Sequence, residues 1–524
     1  MKNLIYLALL SVTLISCSEE KQVKRIEWTS TSEDAKVLFE EFLSNMENYR
    51  WNPKGQELLM DSILKLDPNF LMAKRYDNFK TSKETRENLT YAYVNREKVS
   101  DIESRLIAAN YERRINGSLV REDQIIDSLI EDYKDYFQLR ILSGDVKNRL
   151  ANPKGSDQRW KEALEINPNS FEGLVNRAFL HFPTGNNFIM LASDERDLNI
   201  AIDLLNRGSK LYPESSRWSR FLGNVYRAQG DFEKALTSYE KSLDIIGKYE
   251  LGVESDSYAN SLLMVGHVYT FTEKYDKARE YYDKGIVISN NYWKVAMSEL
   301  KAHTFMYQKD FASAIYLLSK TQEVINEMDE EPLTKLNWQS FTEFTKFLAF
   351  GHSLQEEETI KSVKRMAEIG KARLKIQLEG VSDQRQKEKF NLANEKAAIE
   401  SQTWFNILFG NYEEARISLN SLRELSNKQL EYNPNALNEY FKLSGYLNLM
   451  EGNPKESIED YSKLSKEILT DDGYHYYFLA LAKKAEGQNE ESKQILVDLA
   501  NNNFATWQNA VVKNLAKAQI KTNL

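Results

Sequence analysis

An all-α chain of repeated helical hairpins is predicted by three observations. Helix-breaking residues are scarce, with 21 glycines and 9 prolines in 524 residues, while Glu, Lys, Leu and Ala abound, a mixture that favours helix over strand. One short turn recurs six times between apolar stretches: GDFEKA at 230–235, EKYDKA at 273–278, KDFASA at 309–314, GNYEEA at 410–415, GNPKES at 452–457 and GQNEES at 487–492. Prolines come in matched pairs, since fifteen residues separate Pro53 from Pro68 and also Pro153 from Pro168. In each pair the first proline opens a helix behind a capping asparagine, where its missing N–H costs nothing. The second stops a helix by disfavouring helical geometry in the residue before it. Seven of the nine prolines occupy these two punctuation points, leaving only Pro183 and Pro332 elsewhere. So long a chain exceeds what one compact core takes, and an elongated array is expected.

The elements follow in order. Residues 1–16, MKNLIYLALLSVTLIS, have one lysine, an apolar run and a small residue before Cys17, the pattern of a signal peptide. The stretch Leu14-Ile15-Ser16-Cys17 resembles the lipobox of bacterial lipoproteins, in which the cysteine is acylated and becomes the first residue of the mature chain. That resemblance implies an envelope location. Ser18 after the cysteine points to the outer membrane, and Glu19-Glu20 is similar to the surface-export tag of Bacteroidota lipoproteins. Cys17 is the only cysteine, so the mature chain has no disulfide and holds by packing alone. No other apolar run is long enough to span a bilayer, and anchoring therefore rests on acyl chains. Residues 17–33 are polar and are expected to form an acylated flexible tether.

Self-similarity carries the rest. Within 216–249, Leu222, Gly223 and Tyr226 precede Gly230-Asp231-Phe232, Ala235 and Tyr239; within 259–292, Val265, Gly266 and Tyr269 precede Tyr275, Ala278 and Tyr282. These intervals resemble the tetratricopeptide repeat, a pair of antiparallel helices about 34 residues long. The resemblance implies a right-handed solenoid, about twelve helix pairs in all, with the tail from 504 serving as a C-terminal capping helix. Residues 34–212 read as N-terminal diverged repeats with a loop inserted near 182–196, and 213–328 as the best-matching repeats. Residues 329–432 read as longer, irregular pairs, and 433–524 as C-terminal repeats and cap.

Chemistry finds little support. The five histidines (181, 267, 303, 352 and 475) are scattered, and no HExxH pair, Walker loop, GxGxxG or GxSxG motif occurs. We expect no catalysis, no metal and no cofactor. A net charge of −9 without a basic block argues against nucleic acid. Binding of a protein or peptide is the expected role. The resemblance implies an inner surface lined by first helices, where Arg220, Asn224, Arg227, His267 and His303 would form a polar groove. Arg220 and Asn224 resemble half of a carboxylate clamp, but Met264, Ala296 and Leu300 replace its remaining polar residues. Farther along, Tyr446, Tyr474 and Tyr477 would line an aromatic groove, or else pack against neighbouring helices and the cap. The reading is thus an outer-membrane-anchored scaffold or adaptor, possibly surface-exposed in orientation. A SusD-like glycan-binding lipoprotein and an envelope assembly factor stand as alternatives.

Overall fold

The structure, a computed structural model, describes residues 23–48, 53–183, 188–250, 256–381 and 383–522. Cys17 and the signal peptide lie outside the described residues. Every regular element among them is a helix, and the helices pair in sequence. The first six pairs are α1 (Glu33–Glu47) with α2 (Pro53–Leu66), α3 (Leu71–Tyr76) with α4 (Ser82–Val94), α5 (Asp101–Arg114) with α6 (Leu119–Asp132), α7 (Phe137–Arg149) with α8 (Pro153–Ile166), α9 (Phe171–Phe179) with α10 (Leu198–Leu211), and α11 (Ser216–Gln229) with α12 (Phe232–Tyr249). Six more follow: α13 (Asp256–Phe271) with α14 (Tyr275–Ile288), α15 (Asn291–Tyr307) with α16 (Phe311–Glu327), α17 (Pro332–His352) with α18 (Glu356–Leu378), α19 (Gln384–Leu408) with α20 (Tyr412–Gln429), α21 (Asn438–Met450) with α22 (Pro454–Tyr461), and, after the short α23 (Lys466–Asp471), α24 (Gly473–Ala485) with α25 (Asn489–Asn501). A last helix, α26 (Trp507–Thr522), packs on α24 and α25. This all-α, tetratricopeptide-like solenoid agrees with the expected fold, and the long helices α17 to α19 occupy the stretch read as irregular.

Within a pair, the two helices are seated by a ring on a glycine. Trp160 lies over Gly144, Tyr239 over Gly223, Tyr282 over Gly266 and Tyr461 over Gly445, each ring sixteen residues after its glycine and so close that a methyl group there would overlap it. The turn that follows the first helix needs one residue in left-handed geometry. Gly230, Gly410, Gly452 and Gly487 supply it with φ of 76–84°, whereas Ala151, Glu273, Lys309 and Leu354 are held there at 57–60°. Backbone bonds then close the turn: Gly230 N–H donates to Arg227 O at 3.0 Å and Asp231 N–H to Tyr226 O at 2.9 Å. The second helix is capped by Asp231, Asp310 or Asn152, whose side chains accept from Lys234, Ser313 and Gly155 N–H. Asn52, the counterpart of Asn152, lies outside the described residues.

The pairs wind far enough for the coil to meet itself. Turns within early pairs touch junctions between late ones. Ser82 N–H donates to Glu331, Lys389 to Asn116 O, Asn435 to Leu150 O, Arg196 to Asp471 and Asn503 to Arg227 O, across 249, 273, 285, 275 and 276 residues of sequence respectively. The near-constant separation shows one full revolution stacking on the next. The inserted loop is part of this seam: Asn148 clasps Ile189 through both of its amide atoms, and Arg196 and Asp194 reach across to Asp471 and Lys466.

Two expectations need correction. Residues 23–32 are no loose tether: Ile26 is buried, Trp28 donates to Glu40, Thr29 to Glu103, and Ser30 to Asp67. Polar composition hid this, because the docking is done by hydrogen bonds rather than apolar burial. The cap also does more than cover the last pair. Its Lys517 pairs with Glu273 at 2.8 Å, its Asn514 donates to Tyr307 O, and Ala510 joins a cluster with Phe271, Met306 and Tyr307 of the earlier revolution.

Gly266→Ala therefore forces its β-carbon into the Tyr282 ring and should lower stability by about 1–3 kcal/mol. Gly247→Ala, in the exposed α12 with nothing within 4 Å, should raise it by about 0.5–1 kcal/mol. Urea-unfolding midpoints of the two variants check the opposite signs.

Candidate lumen of the coil

First helices form the inner wall, and the residue after each seated glycine points along it: Asp145 after Gly144, Asn224 after Gly223, His267 after Gly266, Tyr446 after Gly445. The eight residues expected to line an open groove are all sequestered. Tyr477, the most accessible of them, is 6% exposed. Asn224 Oδ1 accepts from Tyr239 O–H at 2.8 Å, and His267 Nδ1 meets Tyr282 O–H at 2.9 Å. Arg220 and Arg227 lie on one face of α11, and His303 follows one repeat beyond His267. These five are neighbours, while Tyr446, Tyr474 and Tyr477 belong to a separate cluster.

The tyrosine cluster is core. Trp404, Tyr446, Tyr474 and Trp507 hold ring centres 5.1–5.9 Å apart where they touch, and Tyr474 O–H donates to Tyr446 Oη at 3.4 Å. Trp507 of α26 completes the set by meeting Phe344 of α17 edge-on. What closes the expected grooves is thus the second revolution and the C-terminal helix, neither of which a single repeat reveals.

Charged residues absent from the sequence reading share this wall. Lys442 binds Asp472 at 2.9 Å. Burial alone would raise the Asp472 carboxyl, but the Lys442 charge and hydrogen bond bring it down to about 2. Burial pushes Glu299 up to about 7 beside the Thr342 and Thr345 hydroxyls. Burial and the nearby Glu439 raise Glu400 to about 8, and burial lifts Asp145 to about 7 against the pull of Arg149. Asp145 could have been found from its place after a glycine that precedes an aromatic by sixteen residues. Among the described residues no cluster of His, Cys, Asp and Glu could hold a metal, and no helix is long and apolar enough to cross a membrane.

Residues 215–289 match the family model of the tetratricopeptide repeat. The chain is a tetratricopeptide-repeat protein. No curated protein is significantly similar to it. Among solved structures, a Rap protein complexed with competence and sporulation factor is 12% identical, with 76% of this chain and 100% of that chain covered and a TM-score of 0.35. A Podosopora anserina putative kinesin light chain with nearly identical TPR-like repeats is 16% identical over 42% of this chain and 98% of its own, with a TM-score of 0.28. Human IFIT1 as a dimer with PPP-AAAA is 13% identical over 83% and 95%, with a TM-score of 0.33. What those proteins bind is not carried over to this tetratricopeptide-repeat protein.

The Glu299 carboxyl has a testable sign. Its folded value of about 7 exceeds the ordinary 4.5, so the folded state binds the proton more tightly, and stability falls as pH rises through that window. Glu299→Gln should be stabilising by about 1–3 kcal/mol at pH 8 and near neutral at pH 5, read from urea midpoints at both values.

Proposed function

We propose that this protein is a lipoprotein of the outer membrane whose repeat coil serves as a scaffold for a protein or peptide partner. The observation that carries the reading is the tetratricopeptide match at 215–289, since such stacked pairs act as interaction surfaces. The lipid anchor is supported by the Leu14-Ile15-Ser16-Cys17 run. Six residues lie between Cys17 and the docked segment that starts at Val23, and they span at most about 25 Å. An acylated Cys17 would therefore hold the coil close against the membrane.

The lumen side chains are covered, so the partner meets the outside. Val287, Tyr292 and Tyr316, on α14, α15 and α16, are 80%, 48% and 67% exposed. Large apolar side chains displayed on successive pairs mark an interaction surface more strongly than scattered ones.

Two experiments test the two halves. Cys17→Ala should abolish incorporation of radiolabelled fatty acid and release the protein from the membrane pellet; a pellet unchanged by the substitution would remove the anchor. A photo-crosslinking amino acid at Tyr292 or Tyr316 should yield a discrete protein adduct in intact cells, reduced at least severalfold by Val287→Glu. Adducts at neither position would remove the outer-surface scaffold.

A further inference from the structure

The coil matches its sequestered cations with carboxylates: Arg196 with Asp471 at 2.6 Å, Arg113 with Glu122 at 3.0 Å and Lys442 with Asp472 at 2.9 Å. Arg227 is the exception. It is 1% exposed and, among the described residues, forms no ion pair; its Nη1 lies 3.3 Å from Met264 Sδ and its Nε has no acceptor. A guanidinium does not give up its proton in a protein, and a buried cation without a counter-charge is strongly destabilising.

Other donors nearby are idle as well. Tyr307 O–H and both ring nitrogens of His303 lack partners. Burial holds His303 neutral, its pKa down to about 4, so the ring offers one N–H. The Arg227 charge is felt at Tyr239, His267, Tyr282 and Tyr307, and His303 acts on His267. These mutual influences gather side chains of α11, α13 and α15 about one place. A lid closes it: Asn503 Nδ2 donates to Arg227 O at 3.2 Å, and the Phe504 ring centre lies 5.9 Å from the guanidinium carbon.

We propose that Arg227, Tyr307 and His303 enclose an inorganic oxyanion of the phosphate or sulfate type, sealed beneath Asn503 and Phe504. The ligand class follows from the chemistry, because an oxyanion only accepts hydrogen bonds and every idle group named here donates. Water would satisfy donors but would leave the charge uncompensated. With Arg227, His303 and Tyr307 1–4% exposed, the ion enters only when the segment from Asn503 through α26 swings aside. Binding and docking of that segment are therefore linked. This inference does not depend on the scaffold reading.

The test is equilibrium dialysis of the full chain, in detergent, against radiolabelled inorganic phosphate at constant ionic strength. One phosphate per chain, displaced by sulfate but not by chloride, is expected, together with a melting temperature that rises with phosphate. Arg227→Met should abolish both effects, and Tyr307→Phe should weaken retention about fivefold or more while helicity by circular dichroism stays unchanged. Equal retention by wild type and Arg227→Met overturns the proposal, as does an equal rise in melting temperature, which would be general salt exclusion. An Arg227→Met chain that melts higher than wild type in phosphate also overturns it, because that marks an uncompensated charge removed. Should Arg227→Met not fold, undiminished phosphate retention by Tyr307→Phe decides against the site.

Discussion

The distance between the two helices of a pair is fixed by an aromatic ring resting on backbone, and the coil inherits its regularity from that contact. Because Gly144, Gly223, Gly266 and Gly445 have no side chain, Trp160, Tyr239, Tyr282 and Tyr461 sink to full burial against them. Close packing leaves no slack for a different spacing. Each pair then presents the same shape to the next, and equal small rotations add up to a revolution. Where the seat changes, so does the element: α17 to α19 are longer and pack through broad aliphatic and aromatic contacts around Phe347, Leu348 and Trp404.

Closure gives the inner wall its electrostatic character. In an open solenoid the first helices face water, and a lysine or glutamate there is solvated. Here the later revolution and α26 cover the wall, so its charges must be paired, neutralised or otherwise compensated. All three outcomes coexist. Lys442 and Asp472 are paired; Glu299, Glu400 and Asp145 are driven towards the neutral form by burial. Arg227 can take neither route unaided, since its charge is permanent.

Much of the fold is legible in the chain because its information is local. The six recurring turns, the paired prolines and the sixteen-residue interval between small residue and ring all fall within one repeat, and they locate the pairs, the inserted loop and the terminal cap. Residues 23–32 and the seam are a different matter. Arg196 meets Asp471 and Asn503 meets Arg227 across 275 and 276 residues, and no local period announces such a meeting. The same blindness affected the wall. Arg220, Asn224, Arg227, His267 and His303 were rightly placed on inner faces, but a single repeat cannot say whether an inner face stays open. For Tyr446, Tyr474 and Tyr477 the packing alternative prevailed once Trp507 arrived from outside the repeat pattern.

Stacked hairpins ordinarily tolerate gain or loss of a unit, because each knows only its neighbours. The seam withdraws that freedom. Deleting one unit between Asn116 and Lys389 would slide every later junction past its counterpart by a whole step, uncoupling all the cross-revolution bonds at once. A structure whose parts are modular has in this way acquired a fixed length, in the manner of a vernier whose two scales agree at one setting only.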